Sequence, residues 1–486
     1  MNDTPLLFPP SARLTAARAV ARVLIDHGHE ACFAGGCVRD GLLGVPPSDY
    51  DVATSATPDV VVRLFPHTVK VGAAFGVILV VQDHQPVEVA TFRSEGAYND
   101  GRHPAEIAFS TAEKDVLRRD FTINGLLAHP FTGEVRDFVG GLADLQAGLV
   151  RAIGDPVARF SEDRLRLLRA IRFSARFSFP IEPRTWDAIV RFAPAIRDVS
   201  AERIREELDR ILTGPHPADG WNQLKRSGIL AVVLPEVARM EGVEQNPEFH
   251  PEGDVWVHTL KALSLLEEDP GLSAGAPDLS PATSLLAWAV ALHDVGKPPT
   301  AAVREDGRRT FYCHEQAGAK MAATILTRLR FPAHFIEDVS DLIADHMRLA
   351  AIFQMKDSTL KRLVGKTLRS WPDTGPLSRH YVNTLLRLHR IDCLASYGGL
   401  AEHDHARARI DALVPGAEKP PRLITGRDLL AMKIPRGPVY AEVLQAVEDA
   451  QLNEELSTRQ EALAFTAAWL RDRDIDFTGQ ADGDDA

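Results

Sequence analysis

Strand-like apolar runs are confined to roughly the first 150 residues of this chain, and from about residue 155 onward the apolar positions recur at helical spacing. That asymmetry implies an α+β chain: a compact α/β head followed by helical domains. Pro-rich or Gly-rich breaks fall at Gly214–Pro217, Asp269–Pro281 and Val414–Pro421. They divide the chain into a head over 1–150, a helical neck over 151–235, a helical middle domain over 236–412, a C-terminal helical domain over 413–475 and an acidic, disordered tail over 476–486. No internal repeat is present.

Within the head, Thr15–His27 reads as an amphipathic helix leading into the strand Ala31–Ala34, and a Gly35-Gly36 turn and a second helix follow. Val77–Val81 and Val87–Thr91 read as paired strands joined by the polar turn Gln82–Pro86. Glycines at a strand-to-helix turn let backbone N–H groups approach a phosphate, and Arg39 adds a charge. In Asp49-Tyr50-Asp51, alternation on a strand projects both carboxylates to one side and Tyr50 to the other. Paired carboxylates repel unless a cation lies between them, and an all-oxygen set suits Mg²⁺. An Asp-x-Asp alone is more often an exposed turn pair. Preceded by Gly-Gly-x-x-Arg-Asp, it becomes specific.

These motifs resemble those of the bacterial tRNA nucleotidyltransferases and poly(A) polymerases of the polymerase-β superfamily. Arg118-Arg119-Asp120-Phe121-Thr122-Ile123-Asn124 matches the family element that contacts the sugar of an incoming nucleotide. On a helix, Asp120 and Asn124 stand one turn apart and suit two ribose hydroxyls; the plainer reading is an N-cap and a polar helix face. Glu162-Asp163-x-x-Arg166 matches the family's base-reading element. An Asp acceptor beside an Arg donor fits the amino group and ring nitrogen of cytosine and adenine, and rejects uracil and guanine. The plainer reading is an intrahelical salt bridge. Arg93, Arg169 and Arg172 join the expected nucleotide-binding set, Arg176 continues the same face, and Glu88 is a candidate third carboxylate. Residues 91–104 resemble the family's flexible loop, which is needed for the terminal A. The resemblance implies Mg²⁺ in the head and CTP, ATP and tRNA as partners, with CCA addition to the tRNA 3′ end as the activity. A-only addition or poly(A) synthesis are the alternatives within the family; the acidic tail and Val71–Val77, where poly(A) polymerases carry basic segments, favour the tRNA branch.

A net charge of −12 argues on its face against a nucleic-acid partner. Local charge decides the matter: Arg151–Arg176 holds seven Arg against Asp155, Glu162 and Asp163, a net +4. No apolar run is long enough to cross a bilayer, the first residues lack signal-peptide character, and the four cysteines form no C-x-x-C, so a reduced cytoplasmic protein is expected.

In the middle region His258, His293-Asp294, His314, His346 and Asp392 follow the order of an HD domain, a helical metal-dependent phosphohydrolase module that they resemble. His258, His293, Asp294 and Asp392 are the expected ligands of a transition metal or Mg²⁺. A phosphohydrolase carrying a nucleotide-binding head is the alternative from another enzyme class. Ser200–Leu208 reads as a Ser-capped helix resembling the family's neck. The region from Thr425 resembles the tRNA-gripping C-terminal domain, with Arg427, Lys433 and Arg436 as candidate phosphate contacts.

Overall fold

The computed structural model describes residues 5–72, 76–95, 107–266, 281–371, 379–413, 421–434, 437–473 and 475. Most of the expected flexible loop (96–104), Arg436 and the acidic tail lie outside these. The chain separates into two compact units: one runs to Arg239 and takes in Arg328–Arg330, and the other comprises the described parts of 240–266, 281–327 and 331 onward.

The first unit begins with α1 (Ala12–Asp26), whose buried residues Leu14, Ala17, Val20, Ala21 and Leu24 form one stripe. There follow β1 (Ala31–Ala34), α2 (Gly36–Leu42), β2 (Val52–Thr54), α3 (Pro58–Leu64), β3 (Thr68–Gly72), β4 (Val77–Gln82), β5 (Gln85–Thr91), β6 (Arg93–Glu95), β7 (Ile107–Phe109), α4 (Ala112–Leu117), β8 (Leu126–Ala128) and β9 (Val135–Asp137). Seven of these strands make one sheet in the order β3-β4-β5-β2-β1-β8-β9. Its pairings are antiparallel except β2 with β5, which places Val52 beside Val89. The β4–β5 turn is tighter than the sequence suggests. Asp83 and His84 alone make it, both at positive φ, and this matches the twist of the strands.

Helices then take over: α5 (Gly141–Ala147), α6 (Pro156–Glu162), α7 (Leu165–Phe177), α8 (Pro183–Phe192), α9 (Ala201–Leu212) and α10 (Pro217–Arg226). The long α7 buries Leu167, Leu168, Ile171 and Ala175; of its arginines Arg166 is buried, whereas Arg169, Arg172 and Arg176 are partly exposed. Close approach of α10 requires Gly220, because a Cβ there would lie 2.5 Å from Ile211 and 3.2 Å from Ala175. Ser200 occupies the N-cap position of α9, but its side chain makes no capping hydrogen bond.

Among its described residues the second unit is helical apart from a two-stranded ribbon over Ala302–Val303 and Arg309–Thr310. Its centre is α12 (Pro281–Leu292), which follows α11 (Val255–Ser264); every residue from Leu285 to Leu292 is buried, as expected of a helix apolar all round. Against it pack α14 (Ala333–Asp345), α16 (His380–Ala395) and α11, and the unit also contains α13 (His314–Arg328) and α15 (Asp357–Val364). Further on, Ile424, Leu429, Val443, Val447 and Leu470 form a small core of their own. No helix among the described residues is long and apolar enough to cross a membrane.

Candidate active site

The turn from β1 into α2 passes through Gly35 at φ 68°, where a side chain would be strained and its Cβ would stand 3.1 Å from Arg119 Nη1. Asp49 and Asp51 lie in the extended lead-in to β2 rather than within the strand. Alternation still holds: Tyr50 is 5% exposed and packs edge-on against Phe8 and at 5.4 Å from Phe33, on the side away from the acids. Burial, then the Glu88 and Asp49 charges, push the Asp51 carboxyl up to about 7. Glu88 on β5 is raised in turn by the packing around it and by Asp49, although its outer face is exposed.

Arg39 differs from expectation. It is 3% exposed, pairs with Asp40 at 2.7 Å and donates to Asn124 Oδ1 at 2.5 Å. It therefore positions a neighbour rather than presenting a bare charge. Asp120 and Asn124 are not on one helix face either. Asp120 precedes a short 3₁₀ turn over Thr122–Asn124, and that turn brings Asn124 Nδ2 within 3.0 Å of Asp120 Oδ1. Asp120 Oδ2 accepts from Arg169 Nε and Nη2 at 2.8 and 2.5 Å. Burial alone would raise the Asp120 carboxyl, but Arg169, Asn124 and the Phe121 amide hold it down at about 2. Arg119 pairs with Asp115 at 3.0 Å.

Asp163 and Arg166 do not share a helix. α6 ends at Glu162, Asp163 is extended at φ −142° and ψ 107°, and α7 starts at Leu165. Asp163 Oδ1 accepts from the Leu165 amide at 3.0 Å and its Oδ2 from Arg203 at 2.8 Å. The intrahelical salt bridge that the plainer reading foresaw is absent, and Arg166 pairs instead with Glu162 at 2.9 Å across the break. Arg166 also donates to the carbonyls of Arg118 and Arg159. Three of its five N–H groups are thus used, and two carboxylate lone-pair sites on Asp163 are taken. Arg172 pairs with the buried Glu207 of α9 at 2.6 Å, and burial lowers it to about 10.

One cleft of about 540 Å³ gathers Gly35, Gly36, Arg39, Asp49, Asp51, Arg119, Asp120, Asn124, Asp163, Arg166, Arg169 and Arg172. Arg93 and Glu88 are not among its lining residues. Asp40, Ser48, Arg118, Phe173, Arg176 and Arg210 complete the wall. Eight Arg against five Asp give the cleft a positive balance inside an acidic chain, as a polyphosphate site requires.

A second polar centre lies in the helical unit. His258, His293, Asp294 and His346 are each at most 1% exposed, and His314 is 7% exposed. His258 Nε2 is 3.2 Å from His293 Nε2 and 3.1 Å from Asp392 Oδ1. His314 Nε2 is 3.2 Å from His346 Nε2. Asp294 Oδ2 lies 3.4 Å from His293 Nε2 and 2.7 Å from Lys297 Nζ. Burial opposes charge on His258, but bonds to Asp392 and Glu252 raise it to about 9, while burial lowers His346 to about 4. Among the described residues, every group of three or more His, Cys, Asp or Glu with ligand atoms within 4.8 Å of one another is in this centre.

Residues 31–151 match the poly(A) polymerase head domain, 178–241 a probable RNA- and SrmB-binding site of polymerase A, and 256–368 an HD domain. Along these segments the chain is similar to the tRNA nucleotidyltransferase and poly(A) polymerase family. It is 37% identical over 266 residues to the CCA-adding enzyme of Bacillus cytotoxicus, covering 54% of this chain and 66% of that one. Identity to the CCA-adding enzyme of Anoxybacillus flavithermus is 40% over 223 residues, 46% of this chain and 56% of that one. The aligned part thus spans less than two thirds of these curated relatives. A crystal structure of the Bacillus stearothermophilus CCA-adding enzyme in complex with CTP matches with a TM-score of 0.68 at 25% identity, over 96% of this chain and 99% of that one. The Thermotoga maritima CCA-adding enzyme complexed with tRNA shares the fold, with a TM-score of 0.55 at 20% identity over 94% of this chain and 95% of that one.

Three residues matter here that the sequence did not single out. Arg203 steadies Asp163 from α9, Glu207 anchors Arg172, and Glu252 accepts from His258 Nδ1 at 2.7 Å. The Arg203 and Glu207 signals were present as the charged face of the predicted neck helix. Glu252 lies in a loop with no periodicity to mark it.

Proposed function

We propose that this chain is a template-independent tRNA nucleotidyltransferase that adds CCA to the tRNA 3′ end from CTP and ATP. The observation that carries the reading is one positive cleft, which collects twelve of the thirteen expected head and neck residues from segments more than 100 residues apart in sequence. The CTP-bound relative, alike over nearly its whole length, supports it.

Asp49 and Asp51 would hold Mg²⁺; Asp51 is raised by burial first and then by the Glu88 and Asp49 charges, which fits a carboxylate site made for a cation. When bound, the ion neutralises charge on a triphosphate and on an attacking hydroxyl. The protein's own contribution is positioning. The Gly35–Gly36 turn leaves room for phosphate. Asn124, held by Arg39 and Asp120, faces the sugar. Arg166 keeps two N–H donors for a ring nitrogen or carbonyl of the base, and Asp163 keeps acceptor capacity for an exocyclic amine. Each is locked by a second partner, so the pair can discriminate cytosine and adenine from uracil and guanine without a template.

The test supplies tRNA ending before CCA, or in CC, with each triphosphate separately and resolves products by length. Two C additions on the first substrate and one A on the second are expected, with none from UTP or GTP. Extension by A alone on both substrates would replace CCA addition with poly(A) synthesis, and no extension on either would remove the reading. The helical unit supports a second, metal-bound centre on His258, His293, Asp294 and Asp392, suited to a transition metal or Mg²⁺ and to phosphoester hydrolysis.

A further inference from the structure

We infer that Asp144, on α5 and outside the cleft wall, is a positioning residue for sugar recognition: through the Thr122 hydroxyl it fixes the turn that carries Asn124, and with it the choice of ribo- over deoxyribonucleotides. The inference rests on the nucleotidyltransferase reading of the cleft. It starts from the acceptor capacity of Asp120. Oδ1 of Asp120 takes the Phe121 amide at 2.8 Å and Asn124 Nδ2 at 3.0 Å, and Oδ2 takes Nε and Nη2 of Arg169. Four donors fill the four lone-pair sites of a carboxylate, so Asp120 keeps nothing for a ligand. Asn124 does. Arg39 only donates, which turns the Asn124 amide oxygen toward it, and one Nδ2 hydrogen goes to Asp120. One N–H and one lone pair of Asn124 then meet no partner among the described residues. A sugar hydroxyl, donor and acceptor at once, matches both.

The backbone under Asn124 is a single 3₁₀ turn, whose poorly aligned hydrogen bonds hold it weakly on their own. α5 braces that turn. Thr122, its first residue, is 3% exposed and donates its hydroxyl to Asp144 Oδ2 at 2.7 Å. The Thr122 amide donates to the Arg151 carbonyl at 2.9 Å, and Arg151 Nε donates to Asp144 Oδ2 at 3.0 Å. Thr122, Asp144 and Arg151 thus close a ring of hydrogen bonds. Gly141 lets α5 come this near, because a Cβ there would stand 2.2 Å from the Thr122 carbonyl oxygen. The helix is pinned in turn by Asp137, whose carboxylate accepts from the Val139, Gly141 and Leu142 amides at 2.9–3.0 Å.

Thr122, Asp144 and Arg151 are not among the residues lining the cleft, so Asp144 acts through Asn124 and not on the nucleotide. A hydroxyl bonded to a carboxylate makes a stronger link than one bonded to a neutral acceptor, and Asp144 is 7% exposed, away from competing water. Misplacing a positioning group by about 1 Å can cost about a hundredfold in rate. Here the loss falls on the sugar contact. The base-reading pair is held by other partners: Asp163 by Arg203, and Arg166 by Glu162 and the Arg118 and Arg159 carbonyls.

The experiment compares CTP with 2′-deoxy-CTP and 3′-deoxy-CTP in the first addition to tRNA ending before CCA, using the full chain and its Thr122→Val, Thr122→Ser and Asp144→Ala variants. The readout is the ratio of kcat/KM for CTP to that for each deoxy analogue. Loss of folded protein lowers every kcat/KM alike, so a merely structural role does not move this ratio. Thr122→Val keeps the shape and removes the hydroxyl; it should lower the ratio about tenfold against at least one analogue, the worth of roughly one hydrogen bond to the sugar. Thr122→Ser should restore the parent ratio and Asp144→Ala should match Thr122→Val, while the preference for CTP over UTP stays at the parent value in all three. An unchanged ratio in Thr122→Val overturns the positioning role and leaves the nucleotidyltransferase reading standing. No incorporation of any triphosphate by the parent chain overturns both. If Asp144→Ala does not fold, Thr122→Val decides alone, because it leaves the Asp144–Arg151 pair in place; if that variant does not fold either, the hydroxyl serves the fold and the inference falls.

Discussion

Replacing Arg169 with Met tests the electrostatic frame of the cleft. Asp120 is 8% exposed, and its Oδ2 takes two hydrogen bonds from the Arg169 guanidinium. Met retains a stem of similar length and removes both donors. The buried carboxylate then keeps only the Asn124 side chain and the Phe121 amide among its present donors. Breaking a buried pair from one side costs about 3–5 kcal/mol. The pH course has a definite sign. Asp120 is depressed from 3.8 to about 2, so its contribution is full above the unfolded value and is lost as pH falls through 2. That shift is worth about 2 kcal/mol at 1.36 kcal/mol per unit, of which about 1 kcal/mol is gone at pH 3. Native-state hydrogen exchange on the full chain, read on peptides from 120–128 and 165–177, measures it. The opening free energy should fall by about 3–5 kcal/mol in the variant at pH 6, and the gap should narrow by about 1 kcal/mol at pH 3. A loss below about 1 kcal/mol, or a gap independent of pH, would refute the assignment of Arg169 as the partner that keeps Asp120 ionised.

Asp49→Asn with Asp51→Asn should reduce CTP and ATP incorporation by about a thousandfold or more, with tRNA retention on a filter unchanged. Asp163→Ala should relax choice among the four triphosphates, and Arg203→Ala should do so more weakly by freeing Asp163 to swing; competition assays with mixed triphosphates read both. Gly35→Ala should raise the KM for triphosphate more than it lowers kcat, because the added methyl meets Arg119 Nη1 at 3.1 Å and the positive φ strains the turn. Gly296→Ala should destabilise the helical unit by several kcal/mol in chemical unfolding, since its Cβ would fall 2.1 Å from the His314 carbonyl oxygen and 2.5 Å from the Gly318 nitrogen.

What the sequence conveyed best were elements whose signal is local. Ala31–Ala34 is a strand at its expected bounds, and the β4–β5 hairpin falls where two apolar runs flank a polar turn. The helix breaks at Asp120 and Asp163 were not legible, because i, i+3 and i, i+4 spacing reads as helix wherever it occurs. In both cases the aspartate bonds to backbone just ahead of it, the Phe121 amide and the Leu165 amide, and this competes with helix continuation. Arg39 lines the cleft as expected, but its partner Asn124 lies 85 residues away in sequence. No spacing rule reports such a contact. The order of the histidines was visible, but no spacing rule reports that Asp294 turns Oδ2 toward His293 and Oδ1 toward His314.

The aromatic trio beside the acids ties the proposed catalytic pair to a stretch of chain outside the family resemblance. Phe8 closes over Tyr50 and Phe33, and the Leu6 amide donates to the Gly133 carbonyl at 2.9 Å. Tyr50 sits between the two aspartates in sequence, so whatever loosens its stacking tilts both. Trimming the polypeptide ahead of Ser11 would unroof that ring, so under the proposed activity turnover is expected to fall before the sheet unfolds.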